Sequence, residues 1–327
     1  MSILNPRVVV VIPTLNAGEP LAACLRALAA QTYRDFETIV VDNGGRVAEA
    51  SAKVLRPGRN LGFGAAINLA VRESKAPMVA CLNDDAVPEP QWLGELVRAM
   101  EADTRVGMCA SCVLLDELRL DSAGMLLCPD GSSKQRGHGE SPAKYSREEE
   151  VLMPSGSAAL YRRELFDLAG GFDESFFLYC EDSDLGLRAR WLGWLCRYIP
   201  SARVAHHYSL SAGRASSLKA YLVERNRLAL AVKCLPPRML AVAPFAALAR
   251  YWWHLRLPAG TAAEFRREAS SLALAWFVVK AHLATLAALP RLLSERQHIR
   301  SRARISTAEF TALAERFRIS PREVASQ

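Results

Sequence analysis

Residues 7–45, RVVVVIPTLNAGEPLAACLRALAAQTYRDFETIVVDNGG, decide the fold. Val8 to Ile12 form a short, unbroken β-branched run that ends in turn-forming residues, the pattern of a strand buried on both faces. Leu21, Cys24, Leu25 and Leu28 follow at helical spacing, and Phe36 to Asp42 give a second strand stopped by Asn-Gly-Gly. Further out, NLGFGAAINLAVRES (60–74) is a glycine-punctuated loop entering a helix, APMVACLNDDA (76–86) a strand and PEPQWLGELVRAM (88–100) a helix. Strands alternating with helices of this length predict an α/β fold, with a mostly parallel sheet, flanking helices and right-handed crossovers.

In such sheets ligands bind beyond the carboxyl ends of the strands. Three predicted strands end in polar groups at that edge: Thr14 and Asn16, then Asp42 and Asn43, then Asn83, Asp84 and Asp85. Turn formation and capping explain one such end; three on one edge predict a site. Asp85 suits a hard divalent cation, which takes one or two carboxylates plus substrate phosphates. The plain alternative is a cap for a helix entered through Pro88 and Glu89. In LGFGAAIN (61–68) the dinucleotide fingerprint fails because Ile67 holds the third glycine position. What remains is a glycine turn that admits a ligand to the backbone, with Asn60 and Asn68 as polar groups beside it.

FFLYCEDSDLGLRARWLGW (176–194) carries Glu181, Asp182 and Asp184 into an aromatic neighbourhood, ahead of a helix predicted from Ser183 or Asp184 to Trp194. One carboxylate serves as a cap; three exceed that need, and a partly desolvated carboxylate is a general base for an alcohol. RYIPSARVAHHYS (197–209) reads as a strand ending in His206 and His207. His206 is a structural histidine or, with Asp85, a metal ligand or a neighbour of phosphate. The polar stretch CPDGSSKQRGHGESPAKYSREEE (128–150) reads as a mobile surface loop.

These stretches, in this order, resemble family 2 glycosyltransferases of the GT-A fold, in particular the rhamnosyltransferase-type enzymes of bacterial surface polysaccharide and lipopolysaccharide assembly. The likeness spans about residues 7–230 and rests on VVIPTLN, VVDN, RNLGFGAAIN, CLNDDA, GGFDESFFLYCEDSDLGLRARWLGW, ARVAHHYS and ERNRL. It implies a Rossmann-like GT-A domain, with a nucleotide-sugar half at 1–105 and an acceptor and catalytic half at 106–220. It further implies that Pro13, Thr14, Asn16, Asp42, Asn60, Gly62, Phe63, Asn68, Asp84 and Arg225 surround a nucleotide-diphosphate sugar, with Asn226 beside Arg225. Asp85 and His206 would hold Mg2+ or Mn2+, and Asp182 would be the base. Glu181 and Asp184 would hold acceptor or cap the helix.

Two positions depart from the family pattern. Asn83 stands first in the Asp-x-Asp motif, and Gly45 replaces a frequent serine. A Gln-x-x-Arg-Trp motif is absent downstream of Asp182, which favours addition of a single sugar. The implied donor is a nucleotide-diphosphate deoxyhexose, dTDP-rhamnose first, and the acceptor a saccharide or lipid-linked saccharide. A sugar-1-phosphate nucleotidyltransferase would want a glycine-rich, basic loop after the first strand, which IPTLNAGEPLAA lacks. An inactive nucleotide-binding membrane scaffold would not need Asp85 and Asp182.

The net charge of +7 over 327 residues is unevenly spread. Up to Ala220 there are 24 basic against 27 acidic residues; from Tyr221 there are 17 against 7, and 15 of the 17 are Arg. That last third, 221–327, predicts basic, apolar helices: MLAVAPFAALARYWWHLRLP (239–258) and ASSLALAWFVVKAHLATLAALPRLL (269–293). The second approaches the roughly 20 residues that span a bilayer, but Lys280 at its centre would cost about 2.5–3.5 kcal/mol. Interfacial helices on an anionic inner leaflet, in a cytoplasmic, peripheral protein, are the expectation. Core helices packed on the catalytic domain are the alternative, and no nucleic-acid partner is expected. The end, ISTAEFTALAERFRISPREVA (305–325), reads as an amphipathic helix. MSILNPRVVVVIPTLN lacks a signal-peptide pattern, and Cys109–Cys112 lacks a second pair at zinc spacing.

Overall fold

The computed structural model describes residues 6–48, 52–206, 217–257 and 271–326. The chain opens with β1 (Val8–Thr14), α1 (Glu19–Ala29), β2 (Phe36–Asp42), β3 (Lys53–Leu55), α2 (Phe63–Arg72) and β4 (Met78–Leu82). β1 lies parallel to β2 on one side and to β4 on the other. The strand order reverses beside β1, and that switch point opens a crevice at the carboxyl ends of the strands.

The domain continues through β5 (Ala86–Pro88), α3 (Trp92–Ala102), β6 (Val106–Leu114), β7 (Leu120–Ser122), β8 (Met125–Leu127), β9 (Ser133–Gln135) and β10 (Glu149–Val151). β11 (Ala158–Arg162), α4 (Arg163–Ala169), α5 (Glu181–Trp191) and β12 (Leu195–His206) complete it. Among the described residues the sheet runs β10-β12-β6-β11-β4-β1-β2-β3, with β5 on β12 and β7 on β6. Its first half is parallel; β11 runs antiparallel to both β4 and β6, and β12 is again parallel to β6. β1 is buried from Val8 to Ile12 because side chains on both faces enter cores. Cys109 and Cys112, three apart in β6, point into opposite cores.

Three expectations from the sequence change. Ala86–Pro88 is a strand on β12 and α3 starts only at Trp92, so Asp85 caps no helix. α5 starts at Glu181, behind Cys180 in a left-handed conformation, and no side chain caps it. Residues 128–150 are not a free loop: β8 and β9 form a hairpin, Cys128 to Ser132 are buried and β10 joins the sheet. Distant partners satisfy the polar groups there, as when Arg250 Nε donates to Asp130 at 2.6 Å.

The C-terminal region is α6 (Ser217–Cys234), α7 (Pro237–Arg256), α8 (Ser271–Ala287), α9 (Leu289–Ser301), α10 (Thr307–Arg316) and α11 (Pro321–Ser326). Much of it packs on the α/β domain through a third core. Trp191 stacks on Phe310, 4.0 Å apart and 5° from parallel, and its Nε1 donates to the Cys234 carbonyl at 2.9 Å. α7 and α8 nevertheless leave Phe245, Leu248, Trp252, Leu272, Trp276 and Leu283 exposed. Lys280 sits over the Tyr221 ring at 4.7 Å. Among the described residues no single helix is long and apolar enough to cross a membrane; Leu272–Ala287 with Leu289–Ser301 suffices as a pair but bends by 65°.

Candidate active site

The carboxyl ends of β1 and β4 meet at Thr14, whose hydroxyl donates to Asp84 at 2.6 Å and accepts from the Ala17 N–H at 3.0 Å. β5 then pairs with the end of β12 in the register Ala86 to His206. That pairing brings Asp85 Oδ1 to 3.2 Å from His206 Nε2, while His206 Nδ1 lies 3.0 Å from Asp121 Oδ2. Burial alone would lower the His206 pKa, but hydrogen bonds to Asp121 and Asp85 outweigh it and raise it to about 9. Asp121 falls to about 2 despite burial, because His138 and His206 hydrogen-bond to it. Burial pushes Asp84 up.

The second set of carboxylates enters on α5. The approach is strained: Phe177, Tyr179 and Cys180 have φ of 64°, 71° and 66°, a conformation that costs non-glycine residues and clusters at functional sites. Asn226 on α6 holds it, its Nδ2 lying 2.9, 2.8 and 2.8 Å from the carbonyls of Phe176, Leu178 and Tyr179. Asp182 then faces the Gly156 N–H, which donates to Oδ2 at 2.9 Å, while the Ser183 N–H donates to Oδ1 at 2.7 Å. A Cβ at residue 156 would lie 3.2 Å from Asp182 Cβ, tighter than ordinary contact. Burial raises the pKa of both Asp182 and Glu181, and Glu181 Oε2 has no hydrogen-bond partner among the described residues.

Both sets line one cavity of about 830 Å³. Pro13, Thr14, Asn60, Gly62, Phe63, Asp84, Asp85, Glu181, Asp182 and His206 are on its wall. Asn43 secures the glycine turn, donating to the Gly62 carbonyl and accepting from the Leu61 N–H, each at 3.1 Å. Gly62 has φ 78°, and a Cβ there would collide with the Phe177 carbonyl.

Five predicted site residues lie elsewhere. Asp42 is spent on the loop after β2, accepting from the N–H groups of Arg46 and Val47 at 3.0 Å each. Asn16 is exposed and accepts from Arg46 at 3.2 Å. Asn68 clamps Phe172 from both sides of its peptide, at 2.9 and 3.0 Å. Arg225 donates to the Ser175 and Phe176 carbonyls, and its neighbour Asn226 anchors the α5 approach rather than closing the site. Asp184 is fully buried between Arg188 at 2.7 Å and Lys233 at 2.9 Å. His207 lies outside the described residues. Asp121, unforeseen, sits in LRLDSAGMLL (118–127), where a lone acid amid apolar residues was the available signal.

Asp85 and His206 make a donor set suited to a hard divalent cation. A carboxylate oxygen and an imidazole nitrogen face each other, the ring would give up its proton to an incoming cation, and Asp121 orients the ring as carboxylates do behind metal-bound histidines. Among the described residues no three such side chains form a cage. The set therefore fits an ion whose remaining ligands come from a bound phosphate.

Residues 9–168 match the family model described as Glycosyl transferase family 2. The chain is 33% identical over 253 residues to the N-acetylglucosaminyl-diphospho-decaprenol L-rhamnosyltransferase of Mycobacterium tuberculosis, a match covering 65% of this chain and 80% of that protein. This chain is a family 2 glycosyltransferase. Its fold is similar to that of GalNAc-T7, solved with UDP, GalNAc and Mn2+: TM-score 0.59 and 16% identity, over 84% of this chain and 56% of that one. It is also similar to the mannosyltransferase of Pyrobaculum calidifontis, solved with GDP-Man and Mn2+: TM-score 0.53 and 20% identity, over 96% of this chain and 87% of that one. The glycosyltransferase thus has a GT-A fold, and its crevice lies at the strand ends where the sequence predicted a site.

Proposed function

We propose that this glycosyltransferase transfers a single sugar, with inversion, from a nucleotide-diphosphate donor to a lipid-linked saccharide at the inner face of the membrane, and that its donor is dTDP-rhamnose. The observation that carries the reading is that Asp182 shares one cavity with the Asp85–His206 pair. Mg2+ or Mn2+ held by Asp85 and His206 would stabilise the charge that builds on the leaving diphosphate. Thr14, Asn43, Asn60 and Phe63 line the wall that would receive the nucleotide. The Asp182 carboxylate, fixed by the Gly156 and Ser183 N–H groups, takes the proton of the acceptor hydroxyl as its oxygen displaces the diphosphate. Burial that raises this carboxylate's pKa strengthens it as a base. One displacement inverts the anomeric carbon.

The donor and acceptor assignments lean on the printed activity of the mycobacterial relative. The metal leans on the donor set and on the Mn2+ in the two structural relatives. The membrane location leans on the exposed apolar side chains of α7 and α8. The test is nucleotide release from dTDP-rhamnose, UDP-galactose, UDP-glucose and GDP-mannose, with Mn2+ or EDTA, in wild type and Asp182→Asn. Metal-dependent turnover of dTDP-rhamnose, lost in the variant, is expected. Turnover unchanged in Asp182→Asn would remove the base from the mechanism.

A further inference from the structure

The cavity wall beyond Asp182 is basic and then apolar, in a definite order. Ser133 Oγ lies 2.7 Å from Ser183 Oγ, so β9 sits against the residue that follows the base. The next residue, Lys134, lines the cavity half-buried, and among the described residues its side chain makes no hydrogen bond or ion pair. The groups acting on it are Lys219 and Arg250, both cations on the same wall, and the Cys180 thiol; the strand-end carboxylates are not among them. Burial first, then repulsion from Lys219 and Arg250, lowers its pKa to about 8. Arg250 lies 3.3 Å from His254, and the neighbouring Leu255 lines the cavity while being 65% exposed. Val279 on α8 also lines it and is 48% exposed. Both are exposed apolar residues of the cavity lining, on the two helices that also leave Trp252 and Trp276 exposed.

We propose that Lys134, with Lys219, forms a subsite for the diphosphate of a lipid-linked acceptor, whose hydrocarbon leaves the cavity between Leu255 and Val279. Arg250, held by Asp130 at 2.6 Å and Glu224 at 2.8 Å, borders the subsite with its charge already paired. This deepens the transferase reading and rests on it. The wall presents a carboxylate base, then cations, then apolar side chains, which complements a saccharide hydroxyl, a diphosphate and a hydrocarbon chain in that order. An unpartnered ammonium in a low-dielectric wall is costly until an anion meets it, and ammonium groups bind phosphate as point charges. The donor's diphosphate belongs on the Asp85–His206 side, so Lys134 is free to serve the acceptor.

Binding of farnesyl diphosphate to the full chain, without donor, tests this by calorimetry beside farnesol, inorganic pyrophosphate and dTDP. Lys134→Met should weaken farnesyl diphosphate at least tenfold, Lys134→Arg should keep most of the affinity, and dTDP should bind all three proteins alike. Farnesol and pyrophosphate should each bind more weakly than the probe carrying both parts. Lys134→Met should also raise the unfolding temperature, since it removes a half-buried charge that neighbouring cations repel, and Lys134→Gln provides a second neutral variant. Equal affinity of wild type and both neutral variants for farnesyl diphosphate would overturn the proposal. So would an equal loss of dTDP binding, which would move Lys134 to the donor, or pyrophosphate binding as tightly as farnesyl diphosphate. Donor turnover is measured separately: a chain that turns over a nucleotide sugar but ignores farnesyl diphosphate refutes only this subsite. One that binds farnesyl diphosphate but turns over no donor refutes the transferase reading.

Discussion

Asp182 and Asp184 stand two residues apart in the first turn of α5 and do different work. Asp182 lies on the cavity wall with two main-chain N–H groups fixing its carboxylate. Asp184 points the other way and is neutralised by Arg188 and Lys233. Asp182→Asn should lower turnover about 10²–10⁴-fold, the usual share of a general base, with donor affinity retained; kcat and nucleotide affinity measured together check it. Asp184→Asn should instead cost about 3–5 kcal/mol of stability, since it leaves two buried cations short of a partner. Urea unfolding reads that loss, and wild-type stability in this variant would mean that Asp184 is dispensable to the ion-pair network. The family resemblance marked Asp182 as the base and Asp184 as an acceptor or capping residue; the ion pairs that occupy Asp184 were not legible, because Lys233 reaches it only through the tertiary fold. Thr14, Asp84, Asp85 and His206 were legible because strand ends carry them to one edge, Asn60 because it stands beside a glycine turn, and Asp182 because three acids exceed what a helix cap needs. Asp121 and Lys134 were not, since each owes its importance to neighbours far away in the chain.

At the scale of elements, the approach to α5 depends on α6. Three residues before the α5 carboxylates adopt left-handed backbone, and the Asn226 amide gathers the carbonyls this conformation turns inward. Leaving such carbonyls unpaired costs about 1–3 kcal/mol each. The Phe176 carbonyl keeps Arg225 as a donor, so Asn226→Ala leaves two carbonyls short and should lose about 2–6 kcal/mol by urea denaturation and lower turnover further than the unfolded fraction explains, because Asp182 loses its register with Gly156. A variant that keeps full activity when folded would show that the loop holds its shape without α6. The alternating pattern made the parallel half of the sheet readable, as β1, β2 and β4 are long or apolar enough to stand out. The turn between β8 and β9 was not: CPDGS (128–132) matches a surface loop, and it is buried where Arg250 and Arg227 reach Asp130 from the C-terminal helices. Polar residues packed at a site imitate polar residues in solvent.

Across the whole molecule, charge joins the catalytic domain to its helical cover. Asp130 and Glu224 face Arg250 at 2.6 and 2.8 Å, and Arg227 joins them, tying the hairpin to α6 and α7. Burial would raise both acids, but Arg250 and Arg227 hold them below the ordinary carboxylate range, and Lys233 does the same for Asp173. A carboxylate whose folded pKa is depressed contributes stability above its unfolded pKa of about 4 and loses it as pH falls toward the folded value. The unfolding temperature should hold steady near neutral pH and fall steadily below about pH 4, in a metal-free buffer series followed by circular dichroism. An unchanged value down to pH 2 would count against the depressed acids. The same helices that close the cavity also turn Phe245, Trp252 and Trp276 outward, on a region rich in arginine. Apolar insertion and anionic attraction should then add, so the full chain should co-sediment with vesicles containing phosphatidylglycerol more than with neutral ones. Replacing Phe245 and Trp276 together by Ser should weaken that binding about tenfold or more, since burying each large apolar side chain fully is worth about 1.5–3 kcal/mol. Salt should weaken the wild type further, because surface charge attraction is screened within a Debye length of about 8–10 Å. Binding that ignores both the substitutions and the lipid charge would leave the apolar face of α7 and α8 to a protein partner instead.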